Sequence, residues 1–180
     1  MEMEDTMIEK FYPSLYRNST YQIDFQHLHE KGFRGVIFDI DNTLVPHNAP
    51  VDDRAKQLFQ TLHEMGWQTC LISNNKEERV KPFAQAVKSN YIYKANKPSV
   101  KNYYYAMEQM GTDRQTTVFV GDQIFTDIYG ANRAGIPTIL VKPIHPKEEI
   151  QIVAKRYLEK IVLIFYKKKK KILEKQSNLL

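Results

Sequence analysis

The chain has 180 residues, with 26 Lys and Arg against 21 Asp and Glu for a net charge of +5. That length suits a single soluble α/β domain with a sizeable core, and the sparse glycine and proline leave no internal repeat or long flexible linker. One cysteine, Cys70, excludes an internal disulfide. The acidic Met1 to Lys10 is unlike a basic import signal, and no apolar run reaches about twenty residues, so the expectation is a cytoplasmic protein without a membrane span.

In chain order, Phe11 to Ile23 reads as an aromatic arm containing Pro13 and packing across the sheet, and Phe25 to Lys31 as a short helix closed by Gly32. Gly35 to Ile40 is an apolar β-prone run, expected as a buried parallel strand. A loop from Pro46 to Val51 leads to a helix over Asp52 to Met65, ended by Gly66. Thr69 to Ile72 is a second strand, followed by a helix from near Lys76 and a short Tyr91-Ile92-Tyr93 strand. Val100 to Met110 reads as a helix stopped by Gly111, with Tyr103, Tyr104 and Tyr105 divided between core and surface. Thr117 to Val120 is a strand, Asp127 to Ala134 a helix capped by Gly135, and Pro137 to Val141 a last strand. Alternation of this kind implies right-handed crossovers and a doubly wound parallel sheet. Expected boundaries are an arm over 1–32, a core over 33–145 and a basic C-terminal tail over 146–180.

Chemistry-bearing residues gather where these strands end. Asp39 and Asp41 follow the first strand with Thr43 close behind; Ser73 and Asn74 follow the second; Lys97 precedes Pro98; and Gly121-Asp122 follows the Thr117 strand, with Asp127 five residues on. The carboxyl ends of parallel strands are where open α/β sheets bind ligands. Taken singly, each residue has an ordinary reading: Ser73 and Asn74 as helix caps, Lys97 as a solvated loop charge, Asp127 as a helix-face acid. Taken together, in this order, they resemble the four motifs of the haloacid dehalogenase superfamily, over roughly Phe33 to Val141. Within it, the short spacing and the N-terminal arm resemble the YqeG-like, phosphatidylglycerophosphatase branch of subfamily IIIA.

The resemblance implies a Rossmann-like fold and an Mg²⁺-dependent phosphatase. Asp39 would attack phosphorus, and Asp41 would protonate the leaving alkoxide and then activate water. The metal would be held by Asp39, the Asp41 carbonyl, Asp122 and Asp127. On the phosphate side it implies Ser73, Asn74, Lys97 and Thr43, the last also bracing the motif turn. The chemistry explains the residue types, since a phosphate dianion resists an anionic nucleophile until cations neutralise its oxygens. An aspartate at position 41, where phosphoenzyme-accumulating members carry threonine, argues for rapid hydrolysis.

Substrate size is bounded by what lies between the motifs. Thr43 to Ser73 and Ser73 to Lys97 are largely taken up by the loop, helices and strand already named, leaving little room for an inserted lid. A capless site suits a phosphate carried on something bulky, such as a lipid, a protein or a nucleic acid, and the resemblance implies the anionic phospholipid phosphatidylglycerophosphate; a soluble sugar phosphate, nucleotide or phosphoprotein remains open, as does a non-catalytic docking role. Five histidines show no shared ligand spacing; His47, just after the first motif, is the one expected near a pocket, and Arg79 and Arg133 have no motif to fix them.

The positive charge is local: from Lys142 onward there are eleven basic and four acidic residues. Pro146, Glu148 and Glu149 look like a helix start, after which Ile150, Val153, Tyr157, Ile161 and Ile164 form an apolar stripe, with Lys155, Arg156 and Lys160 off it and Lys167 to Lys171 beyond. A basic amphipathic helix of this kind reads as peripheral contact with the inner face of a membrane. The competing readings are a helix docked on the core by its stripe, a solvated end, and nonspecific attraction of nucleic acid.

Overall fold

The structure, a computed structural model, describes residues 7–145 and 150–177. Six parallel strands form one sheet: β1 (Leu15–Arg17), β2 (Gly35–Phe38), β3 (Gln68–Ile72), β4 (Asn90–Ile92), β5 (Thr117–Gly121) and β6 (Thr138–Val141), in the order β1-β6-β5-β2-β3-β4. Between and after them lie α1 (Phe25–Glu30), α2 (Asp53–Glu64), α3 (Glu77–Val87), α4 (Lys101–Met110), α5 (Tyr129–Arg133) and α6 (Ile150–Ser177). The expected doubly wound α/β architecture is what forms.

Alternation along the strands sorts side chains into two cores, as the pleat requires. Val36, Phe38, Leu71, Val118 and Val120 face Phe59 and Leu62 of α2 and Val80, Phe83 and Val87 of α3. Ile37, Cys70, Ile72 and Phe119 point the other way, against Tyr103, Ala106, Met107 and Met110 of α4. Each large side chain so enclosed contributes about 1.5–3 kcal/mol. Helix ends follow local chemistry: the Asp52 side chain accepts the Ala55 N–H at 2.8 Å to start α2, and Gly111, at φ 64, ends α4 in the left-handed conformation that glycine adopts without strain.

Three elements differ from the sequence expectations. Leu15–Arg17 pairs with Ile139 to Val141, so the aromatic arm extends the sheet as its edge strand instead of lying across it. Where one helix was expected from Asp127, a π-helical turn over Ile124–Ile128 comes first and α5 begins at Tyr129. The wider turn rotates Asp127 inward, and such turns are frequent at functional sites. Finally, α6 docks through Glu159, Val162, Leu163 and Tyr166, while Tyr157, Ile161 and Ile164 of the expected stripe are 65%, 49% and 64% exposed. These three residues of the stripe therefore do not dock on the core. The expected helix start at Pro146 to Glu149 and the side chains of Ile150 and Val153 lie outside the described residues.

Neither inter-motif stretch carries a lid. Residues between Thr43 and Ser73 form a loop and α2, and those between Ser73 and Lys97 form α3 and β4. Among the described residues, no helix is long and apolar enough to cross a membrane.

Candidate active site

β2 lies between β5 and β3, and the turns after these three strands meet at one end of the sheet. The turn after β2 is tight: the Ile40 carbonyl accepts the Leu44 N–H at 2.9 Å, and Asn42 takes φ 61, a left-handed conformation asparagine tolerates. This geometry leaves Asp39 and Asp41 at the mouth of a cleft of about 410 Å³, lined also by Ser73, Asn74, Lys97, His47, Asn75, Gln123, Thr126 and Lys155. His47 thus belongs to the cleft wall.

The eight residues singled out from sequence divide into a charged centre and its supports. Lys97 Nζ donates to Asp39 Oδ1 and to Asp127 Oδ1, each at 2.6 Å, from a side chain 4% exposed. Asp39, Asp122 and Asp127 are buried, with one carboxylate oxygen from each lying within 4.8 Å of the others. Thr43 Oγ1 spans two of them, 3.5 Å from Asp39 Oδ2 and 3.3 Å from Asp122 Oδ1. Asn74 brackets the Lys97 backbone, accepting its N–H at 2.7 Å and donating to its carbonyl at 3.3 Å. Ser73 Oγ accepts the Asn75 N–H at 3.2 Å, which leaves its own proton free to donate. Asp41 faces the cleft with Asp39.

The Gly-Asp motif gains a packing reason. A Cβ on Gly121 would stand 2.6 Å from Asp127 Oδ2, so only glycine lets the π-turn fold Asp127 against the end of β5. There Asp127 Oδ2 accepts the Gln123 N–H at 3.1 Å, while its Oδ1 meets Lys97. Burial pushes the Asp39 carboxyl up to about 7, opposed by Lys97 and reinforced by Asp127. Burial alone would pull the Lys97 ammonium down, but Asp127 and Asp39 override it and hold it above the ordinary lysine range. Burial likewise drives Asp122 well above the usual carboxylate range, with Arg156 opposing. Three buried carboxylates served by two cations form a hard-oxygen donor set, and that chemistry fits Mg²⁺ or Mn²⁺.

Several partners were not assigned to the site from the sequence. Arg79, one turn into α3, donates to Asp41 Oδ1 at 2.9 Å, and Asn75 Nδ2 donates to Asp41 Oδ2 at 2.7 Å. The Asn48 N–H adds a third bond to Asp41 at 2.8 Å. Arg156 of α6 reaches Asp122, and Glu159 accepts the Ile124 N–H at 2.7 Å. Only Arg79 was within reach of inference, as a cation on the first turn of the helix that follows Ser73. Arg133 instead lies over the Tyr129 ring at 5.4 Å.

Comparison with known proteins agrees with this geometry. A family model described as haloacid dehalogenase-like hydrolase matches residues 46–135, a span holding Ser73, Lys97, Asp122 and Asp127, with Asp39 and Asp41 just ahead of it. The probable phosphatase YqeG of Bacillus subtilis is 34% identical over 165 residues, 91% of this chain and 96% of that protein. Phosphatidylglycerophosphate phosphatase 1 of Arabidopsis thaliana is 31% identical over 147 residues, 73% of this chain but only 40% of that protein. Among solved structures, a haloacid dehalogenase-superfamily hydrolase from Ehrlichia chaffeensis superposes with a TM-score of 0.52 at 17% identity, covering 73% of this chain and 98% of that one, which is a likeness of fold. The chain belongs to the haloacid dehalogenase-like hydrolases, as a phosphatase of the YqeG-like branch.

Proposed function

We propose that the chain hydrolyses the phosphomonoester of phosphatidylglycerophosphate, giving phosphatidylglycerol, with Mg²⁺ as cofactor and an aspartyl-phosphate at Asp39 as intermediate. The observation that carries the mechanism is the meeting of Asp39, Asp122 and Asp127 with Lys97 beside an open cleft that Asp39 and Lys97 line. Asp39, the Asp41 carbonyl and Asp122 would hold the ion, with Asp127 as a further ligand or its anchor; when bound, it neutralises charge on the transferring phosphoryl group.

An Asp39 oxygen attacks phosphorus and the bond to the leaving alkoxide breaks, with Asp41 supplying the proton the alkoxide needs. Asp41, now ionised, takes a proton from water as that water attacks phosphorus, releasing phosphate and restoring the Asp39 carboxylate. Lys97 offsets the charge of the nucleophile and its neighbours. Ser73 and the Asn74 N–H donate to phosphoryl oxygens, and Thr43 keeps Asp39 and Asp122 facing each other. Arg79 and Asn75 hold Asp41 in line, and His47 lines the same cleft.

Support for the lipid comes from the plant relative's named activity, the absence of a lid and the outer face of α6. That face exposes Tyr157, Leu158, Ile161, Ile164 and Phe165 beside Lys155, Lys160, Lys167, Lys168, Lys170 and Lys171. Each lysine near anionic lipid contributes about 1 kcal/mol, so the tail would hold the mouth against the inner face of a membrane. The reading keeps the three-part chain, a catalytic core over 33–145 with an arm before it and a docking tail after it.

The test is phosphate release from phosphatidylglycerophosphate in mixed micelles, with Mg²⁺ or EDTA, beside soluble phosphate esters and an Asp39→Asn control. Metal-dependent preference for the lipid, lost in the variant, supports the reading. Preference for soluble esters would overturn the substrate, and full activity of Asp39→Asn would overturn the nucleophile.

A further inference from the structure

The helix that carries the tail also reaches into the charged centre. Arg156 Nη1 donates to the Asp122 backbone carbonyl at 2.6 Å, and Arg156 Nη2 pairs with Asp122 Oδ2. The planar guanidinium thus grips both ends of one residue, which fixes the rotamer of the Asp122 side chain. With Oδ2 engaged, Oδ1 turns inward, where Thr43 Oγ1 meets it and Asp39 Oδ2 lies across the same hydroxyl. Glu159, 5% exposed, holds the guanidinium from the helix side: its Oε2 accepts from Arg156 Nη1 at 2.8 Å and its Oε1 accepts the Ile124 N–H at 2.7 Å.

We propose that Arg156 is a positioning residue for the metal ligand Asp122, with Glu159 as its brace, so that α6 is a working part of the metal centre. The inference rests on the metal-dependent phosphatase reading of the site, and not on the lipid substrate. Anchoring alone does not account for the arrangement. Val162 and Leu163 already pack against Ile124, Ile128, Leu140 and their neighbours, and a buried ion pair anchors a helix no better than an apolar pair of similar volume. Among the described residues, the charged chain Glu159–Arg156–Asp122 stands where α6 meets a carboxylate of the acidic cluster. Arg156 and Glu159 lie outside residues 46–135, so the matched family pattern includes Asp122 but neither of the two residues that grip it.

Partners that orient metal-ligating carboxylates typically contribute about 10–100-fold to metal affinity. The experiment is Mn²⁺ binding to the full chain after EDTA stripping, followed by the loss of the free Mn²⁺ electron paramagnetic resonance signal, with no substrate present. For Arg156→Met the dissociation constant should rise by about 10–100-fold, and Arg156→Lys, which keeps the cation but loses the fork, should recover part of it. Unchanged or tighter binding in Arg156→Met would overturn the proposal, since the guanidinium would then only neutralise or obstruct the site. Melting curves establish that the variants are folded. Should Arg156→Met fail to fold, Glu159→Gln decides: a rise of several-fold supports the brace, and no change refutes it. A wild-type chain that binds no Mn²⁺ would sink the metal reading and this inference together. Because no substrate is present, failure of the lipid assay leaves the result standing.

Discussion

Replacing Lys97 by methionine removes the cation that two buried carboxylates share while keeping most of the side chain's bulk. Lys97 makes two charge-assisted hydrogen bonds of 2.6 Å, to Asp39 and Asp127, and Arg156 is the only other cation paired with the three-carboxylate cluster among the described residues. Each such bond contributes about 1.5–3 kcal/mol, partly offset because the buried ammonium no longer has to be desolvated. The net loss of stability should be about 3–5 kcal/mol in the metal-free protein. Protonation of the orphaned carboxylates offers relief, so the loss should be larger at about pH 8 than at about pH 5.5. Mg²⁺ should narrow the gap between variant and wild type by replacing part of the missing charge. Turnover should fall about 10²–10³-fold, the range for deleting one charge-stabilising group. Urea unfolding at both pH values, with and without Mg²⁺, checks the stability claim. A loss below about 1 kcal/mol, the size of an exposed pair, or one independent of pH and metal, would refute the argument that Lys97 neutralises a buried acidic centre.

Further outcomes follow from the same geometry. Gly121→Ala should displace Asp127, because the new Cβ would stand 2.6 Å from Asp127 Oδ2, and Mn²⁺ titration should read weakened metal binding with the sheet intact by circular dichroism. Arg79→Met should lower kcat roughly tenfold with little change in KM, a fraction of the 10²–10⁴-fold that general acid–base catalysis supplies; a rise in KM alone would place Arg79 on the substrate instead. In the metal-free protein, the native state keeps an Asp39 proton that the unfolded chain releases between pH 3.8 and about 7, so stability falls as pH rises through that window. Relative to Asp39→Asn, which has no such proton, wild type should lose up to about 4 kcal/mol across it, as read by denaturant titration in EDTA. Sedimentation with vesicles should depend on anionic lipid and on salt, and should be lost when residues 157–180 are removed.

What the sequence revealed and what it hid have physical causes. Asp39, Ser73, Asp122 and Lys97 were legible because each stands beside an apolar run or a proline that marks where a strand or loop must stop, and their chemical order is specific. Gly121 was legible as part of a motif, but its reason, the close approach of Asp127, exists only once the π-turn forms. Leu15–Arg17 is three residues long, too short for alternation to declare a strand, and its partner is over a hundred residues away. In α6 the described part of the apolar stripe, Tyr157, Ile161 and Ile164, lies off the docking face. Val162 and Tyr166 dock together with the charged Glu159 and Arg156, because the surface they meet offers the Ile124 N–H and the Asp122 carboxylate. A rule that turns apolar residues inward has no means of seeing that.

The most direct test of the central claim is to trap the covalent intermediate. Enzyme quenched in acid during turnover and reduced with borohydride converts an acyl phosphate on aspartate into homoserine, which peptide mass spectrometry locates. The account predicts homoserine at position 39, dependent on both substrate and Mg²⁺. Its appearance at another aspartate would contradict it.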